Sequence, residues 1–105
     1  MVEFNYDQET DILVADKQRE PEDYESSIPV GDYIIDINED NEVLGIEILN
    51  ASQNLPFTKE ELRNIKELEL KVEERNKAKT VSLYIDYSTG NKGKISFGYP
   101  QPAKT

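Results

Sequence analysis

DINEDNEVLGIE, residues 36–47, reads either as a cation loop or as a β-hairpin, and the choice decides the fold. As a loop it places Asp36, Asn38 and Asp40 at alternate positions and Glu47 at the twelfth, the oxygen-ligand spacing of a helix–loop–helix calcium site. The segment that would have to enter as a helix, IPVGDYII (28–35), contains Pro29, Gly31 and a β-branched run. The sixth loop position, where a sharp bend favours Gly, is Asn41. As a hairpin with a two-residue loop at Asp40-Asn41, Ile37 faces Leu44, Ile35 faces Ile46 and Tyr33 faces Ile48. All six then share one side of the ribbon, as the period of two requires. A slip by one residue would scatter them over both faces. The hairpin is the stronger reading. A weak calcium site built from Asp36, Asn38, Asp40 and Glu47 remains the alternative, because Asp36 and Glu47 share the other face of the same ribbon. Gly45, opposite Asp36, marks a bulge or a close backbone approach.

Outward from this hairpin the chain is mostly β. VEFNY (2–6) and DILVA (11–15) flank a turn and predict a first hairpin. Residues 16–29, polar and Pro-containing, read as a surface connection. Thr58 followed by Glu61 has the capping-box spacing, so a short helix is expected from about 58 to 66, with Leu55 and Phe57 packing where it starts. Residues 66–87 separate cleanly as a second long hairpin around a loop at 75–78. Leu68 then faces Ile85, Leu70 faces Leu83, and Val72 faces Val81. Beyond the loop STGNKG (88–93), residues 94–99 alternate as an edge strand, and 100–105 read as a frayed tail. The expected fold is α+β, a single domain over 1–99 in which antiparallel hairpins pack against one short helix.

YDQETDILVA (6–15) followed by GDYIIDINEDNEVLGIEILNAS (31–52) resembles the YuzE-like family of small proteins of unknown function. The residues that carry the resemblance are Tyr6, Asp7, Asp11, Leu13 and Asp36, the run from Gly45 to Leu49, and Ala51 with Ser52. Asn50 stands where Asp is common in the family, and Asn41 where Gly is. The resemblance implies a compact α+β fold and no established activity. Some relatives look like the partner half of toxin–antitoxin gene pairs, which implies an antitoxin-like role.

Charge is divided unevenly. Residues 1–52 carry 15 acidic and 2 basic side chains, net −13; residues 53–105 carry 7 and 10, net +3. The acidic half argues against nucleic acid, whose phosphates require cations, and favours a basic protein partner. With no His and no Cys, the commonest general base, nucleophile pairs and zinc ligands are missing, and an enzyme is not expected. A carboxylate-based enzyme is kept only as a second alternative. No cofactor is implied. No apolar run reaches the ~20 residues of a membrane span, and the N-terminus lacks signal-peptide character, so a cytoplasmic protein is expected. Strand 94–99, flanked by Lys92 and Lys94, offers an edge for a second copy or a partner strand. The competing role for Lys94 is to guard that edge against aggregation.

Overall fold

The computed structural model describes residues 2–17, 24–75, 77–87, 90 and 92–100. In chain order the elements are strands β1 (Val2–Asp7), β2 (Ile12–Lys17), β3 (Ser26–Val30), β4 (Tyr33–Ile37) and β5 (Val43–Ile48). Helices α1 (Ala51–Asn54) and α2 (Lys59–Arg63) follow, then strands β6 (Ile65–Arg75), β7 (Ala78–Tyr87) and β8 (Lys92–Pro100). The first five strands form one sheet in the order β1-β2-β5-β4-β3, and the last three form a second in the order β6-β7-β8. Every strand pairing is antiparallel. The α+β class stands, with two short helices rather than one.

Alternation builds the core of the larger sheet. Phe4, Ala15, Ile46, Ile35 and Ile28 are cross-strand neighbours along one rung, and Tyr6, Leu13, Ile48, Tyr33 and Val30 along the next. Leu68, Leu70, Val81, Leu83 and Ile85 of the second sheet join them in one hydrophobic cluster. Tyr33 of β4 stacks on Phe97 of β8 with ring centroids 4.3 Å apart. The apolar face expected to lie under a helix is therefore covered mainly by the second sheet. A five-residue helix has too little surface for that task, whereas a three-stranded sheet with one apolar face matches it. Lys79 is buried on this inner side, and its Nζ donates to the carbonyl of Asn41 at the β4–β5 turn.

The β6–β7 hairpin adopts the expected register, Leu68 with Ile85, Leu70 with Leu83 and Val72 with Val81. The β4–β5 hairpin keeps Tyr33 with Ile48 and Ile35 with Ile46, but Ile37 faces Val43 instead of Leu44. The turn is the reason. Asn38 Oδ1 accepts the N–H groups of Asp40 and Glu42, each at 2.9 Å, and Asn41 takes the left-handed conformation at φ 63°. The Asn38 N–H donates to the Glu42 carbonyl at 3.1 Å, which closes a three-residue loop. A loop one residue longer than expected shifts the register, and a bulge between Asp36 and Ile37 absorbs the shift with Leu44 as the extra residue.

Three other expectations are corrected. The 16–29 connection contains β3, which pairs with β4 from Ser26 to Val30. Pro29 is tolerated because β3 is an edge strand, where a missing N–H need not break a ladder. Residues 18–23 of that connection lie outside the described residues. The helix expected to reach residue 66 stops at Arg63, because Ile65 already pairs with Tyr87 in β6. Its capping box is present, with Thr58 Oγ1 accepting from the Glu61 N–H at 3.1 Å and Glu61 Oε1 accepting from the Thr58 N–H at 3.0 Å. Strand β8 runs from Lys92 to Pro100, longer than 94–99, and the tail 101–105 lies outside the described residues.

Gly45 is a close approach between strands. A Cβ there would collide with the Asp16 carboxylate and lie 2.7 Å from the Ala15 carbonyl oxygen of β2. Gly45→Ala is expected to destabilise the fold by about 1–3 kcal/mol, since backbone on one side cannot give way. Urea denaturation checks this as a lowered midpoint with an unchanged slope; a midpoint equal to that of the parent would show that the strands can part without cost.

Candidate functional site

Two polar arrangements stand out, one holding the fold together and one facing outward. The first centres on Asp11, in the β1–β2 turn at φ 58° and only 7% exposed. Tyr6 Oη donates to Asp11 Oδ1 at 2.6 Å, the Ser52 N–H donates to the same oxygen at 3.0 Å, and Ser52 Oγ donates to Oδ2 at 2.7 Å. The Ala51 N–H donates to the Asp11 carbonyl at 2.8 Å. The first two N–H groups of α1 are thus satisfied by a residue forty positions away, while its own N-cap, Asn50, makes no side-chain capping bond. Asp11 acts as the cap that Asn50 does not supply.

Burial pushes the Asp11 carboxyl up, but the hydrogen bonds from Tyr6 and from both Ser52 groups, with Lys59 nearby, hold it below its usual value. Burial, reinforced by Asp11, pushes the Tyr6 phenol up to about 12. A carboxylate held ionised by three donors is a weak base, so Ser52 gains no nucleophilic character from it. The arrangement is a clasp, and it accounts for Tyr6, Asp11 and Ser52 in the motif. Asp11 was quoted in that motif, but a contact spanning 41 residues leaves no local signal in a single sequence.

The second arrangement is the outer face of the five-stranded sheet. One of its rungs runs Glu3, Asp16, Gly45, Asp36, Ser27 across all five strands, and the next runs Asn5, Val14, Glu47, Ile34, Pro29. With Asp7, the strand positions of this face hold five carboxylates and, among the described residues, no Lys or Arg. Ile12, Val14 and Ile34 lie half-buried among them. Tyr24, 43% exposed, sits at the rim, joined by a 2.6 Å hydrogen bond to Ser27 Oγ, which donates to Asp36 Oδ1 at 2.7 Å.

The four loop residues are distributed between different tasks. Asp36 and Glu47 share this outer face, Asp36 beside Gly45 and Glu47 between Val14 and Ile34. The Asn38 side-chain oxygen closes the turn, and Asp40 donates its N–H to it. Among the described residues, no group of three or more His, Cys, Asp or Glu side chains is placed to hold a metal ion. No helix among them is long and apolar enough to cross a membrane.

The fold at this point is an α+β pair of antiparallel sheets with a clasped turn and an acidic outer face. Residues 3–52 match the model of a family described as a protein of unknown function (DUF2283). That span covers the five-stranded sheet from β1 and ends at Ser52 of the clasp. A protein of Methanosarcina mazei named "Putative hypoxanthine phosphoribosyltransferase" is 38% identical over 73 residues, which cover 70% of this chain and 58% of that protein. This chain therefore spans less than two thirds of that relative. No solved structure gives a match.

The clasp predicts a distinct alkaline response. The folded Tyr6 phenol titrates at about 12 against 10.0 for an ordinary tyrosine, so its contribution is fully present below pH 10 and is lost as pH rises toward 12. The difference between the phenolate absorbance titrations of the parent and of Tyr6→Phe should show a midpoint near 12; a midpoint near 10 would mean that the bond to Asp11 does not persist in solution. Asp11→Ala removes the acceptor of three donors and is expected to cost about 2–4 kcal/mol in urea denaturation, against about 1 kcal/mol for Ser52→Ala.

Proposed function

We propose that this protein is a non-enzymatic interaction module that docks a basic protein partner on the outer face of its five-stranded sheet. The observation that carries the reading is the composition of that face, five carboxylates and no cation among its described strand positions. The half-buried side chains of Ile12, Val14 and Ile34, with Glu47 between the last two, would give such a partner apolar area to bury, and Tyr24 at the rim is an exposed aromatic of the kind that anchors interfaces. The carboxylates among and around them would speed encounter and select against acidic competitors. Residues 6–52 resemble YuzE-like proteins, some of which look like the partner half of toxin–antitoxin gene pairs, an association in keeping with a partner-binding role. The name of the Methanosarcina relative implies a phosphorylated sugar as substrate. Phosphate is repelled by this face, and the chain has neither His nor Cys for general-base or nucleophilic work.

The test is capture from native lysate at low salt with the parent protein and with the double charge reversal Glu3→Lys, Glu47→Lys, both checked for folding by circular dichroism. A basic protein retained by the parent, released by added salt and lost by the variant is the expected result. Recovery of the parent alone, or equal retention by the variant, would overturn the reading.

A further inference from the structure

We propose that β8 is a self-pairing edge, and that two copies of this chain join antiparallel through Lys92–Pro100, centred on Ser96, to make one continuous six-stranded sheet. Among the described residues β8 pairs only with β7 and lies at the margin of its sheet. It spans nine residues. Its register with β7 is unbroken from Lys92 opposite Asp86 to Pro100 opposite Ala78, whereas the β4–β5 and β6–β7 ladders both shift. Sheet edges are ordinarily blunted by shortness, by charged side chains (lysine above all) or proline on the edge, by bulges, by charges that point inward, or by cover from another element. β3 has two of these devices, being five residues long with Pro29 inside it. β1 and β6 lie against each other, with α2 also against β1. Strand β8 is neither short nor bulged and carries no inward charge, and its proline, Pro100, stands at its very end. Its guard is confined to Lys92 and Lys94, which a two-fold register about Ser96 sets opposite uncharged residues. Its inner positions are Gly93, Ile95, Phe97 and Tyr99, all uncharged, and its lysines, Lys92 and Lys94, are exposed on the outer face.

The sequence of the strand favours a second copy as the occupant. Around Ser96 the apolar inner residues are symmetric, so a two-fold axis there sets Ile95 of one copy against Phe97 of the other, twice. Both are only half-buried in the single chain, and each would gain cover. On the outer face the same register puts Lys94 opposite Gly98 and Lys92 opposite Pro100, so no like charges meet. Electrostatics agree. Residues 1–52 carry net −13 and repel their counterparts, whereas residues 53–105 carry net +3. Joining through β8 uses the sheet that does not carry the acidic face.

Gly98 supplies a test that leaves the core alone, because the nearest atom to an added Cβ there is the Lys79 carbonyl oxygen at an ordinary 3.5 Å. Light scattering after size exclusion should give twice the 12.1 kDa chain mass for the parent at high concentration. Gly98→Lys sets like charges across both symmetric Lys94 contacts and should weaken the dimer about tenfold, while Gly98→Glu should tighten it by a similar factor. An isotope-filtered experiment on a mixed-label sample of the parent should also show contacts between the Ser96 α-protons of the two copies. A parent chain that stays monomeric to millimolar concentration would overturn the proposal. A dimer with equal affinity in both Gly98 variants and without the Ser96 contact would do so equally.

Discussion

A single buried carboxylate holds together parts of this protein that the chain order keeps apart. Asp11 sits in a tight turn, takes a left-handed conformation and accepts from Tyr6 beside it and from Ser52 forty-one residues on. Its position is possible because Asp tolerates positive φ better than most residues, and its burial is tolerable because three donors surround it. The consequences spread from there. The start of α1 is fixed against the β1–β2 turn, which sets where the chain leaves the first sheet and therefore where Leu55, Phe57 and Leu62 enter the core. Phe57 meets Tyr87 edge-on at 5.0 Å and packs over Gly93, so the clasp also bears on how the second sheet sits.

The two sheets divide the work between packing and display. Each has an apolar inner face, and the shared cluster between them leaves both outer faces to solvent. The outer face of the first sheet is uniformly acidic at its charged strand positions, while that of the second mixes signs, with Lys71 and Lys94 both near the Tyr84 ring. Lys79 bridges the two halves. Its amine is buried, which is costly without a partner, and it finds one in the Asn41 carbonyl at a turn rich in Glu39, Asp40 and Glu42.

Much of the fold was legible because alternation is a local signal. The Leu68–Ile85, Leu70–Leu83 and Val72–Val81 pairs follow from face separation alone, and the capping box follows from Thr58 and Glu61. What failed to show had physical reasons. β3 is masked by Ser26, Ser27 and Pro29, residues that suit an edge and would discredit a central strand. The bulge beside Asp36 depends on Asn38 folding its side chain back onto the turn, a choice that competes closely with a two-residue loop. Helix α1 has four residues, too few for any periodicity to appear. The acidic face was foreshadowed by the −13 charge of the first half, but its unbroken sign emerges only when the register sorts the strands.

The clasp has a kinetic meaning as well. Five of the six strand pairings among the described residues join neighbours in the chain across short connections, and such hairpins form on the scale of microseconds. The β2–β5 pairing is different, since it brings Leu13 to Ile48 and Asp16 to Gly45 across some thirty residues. The entropy of closing that long segment must be met before its contacts form, which makes it the costliest closure within the first sheet. Asp11 and Ser52 lie just outside the same closure and seal it from the open end. A polar contact that looks like decoration on a turn is therefore the latch on the longest-range strand pairing of the first sheet.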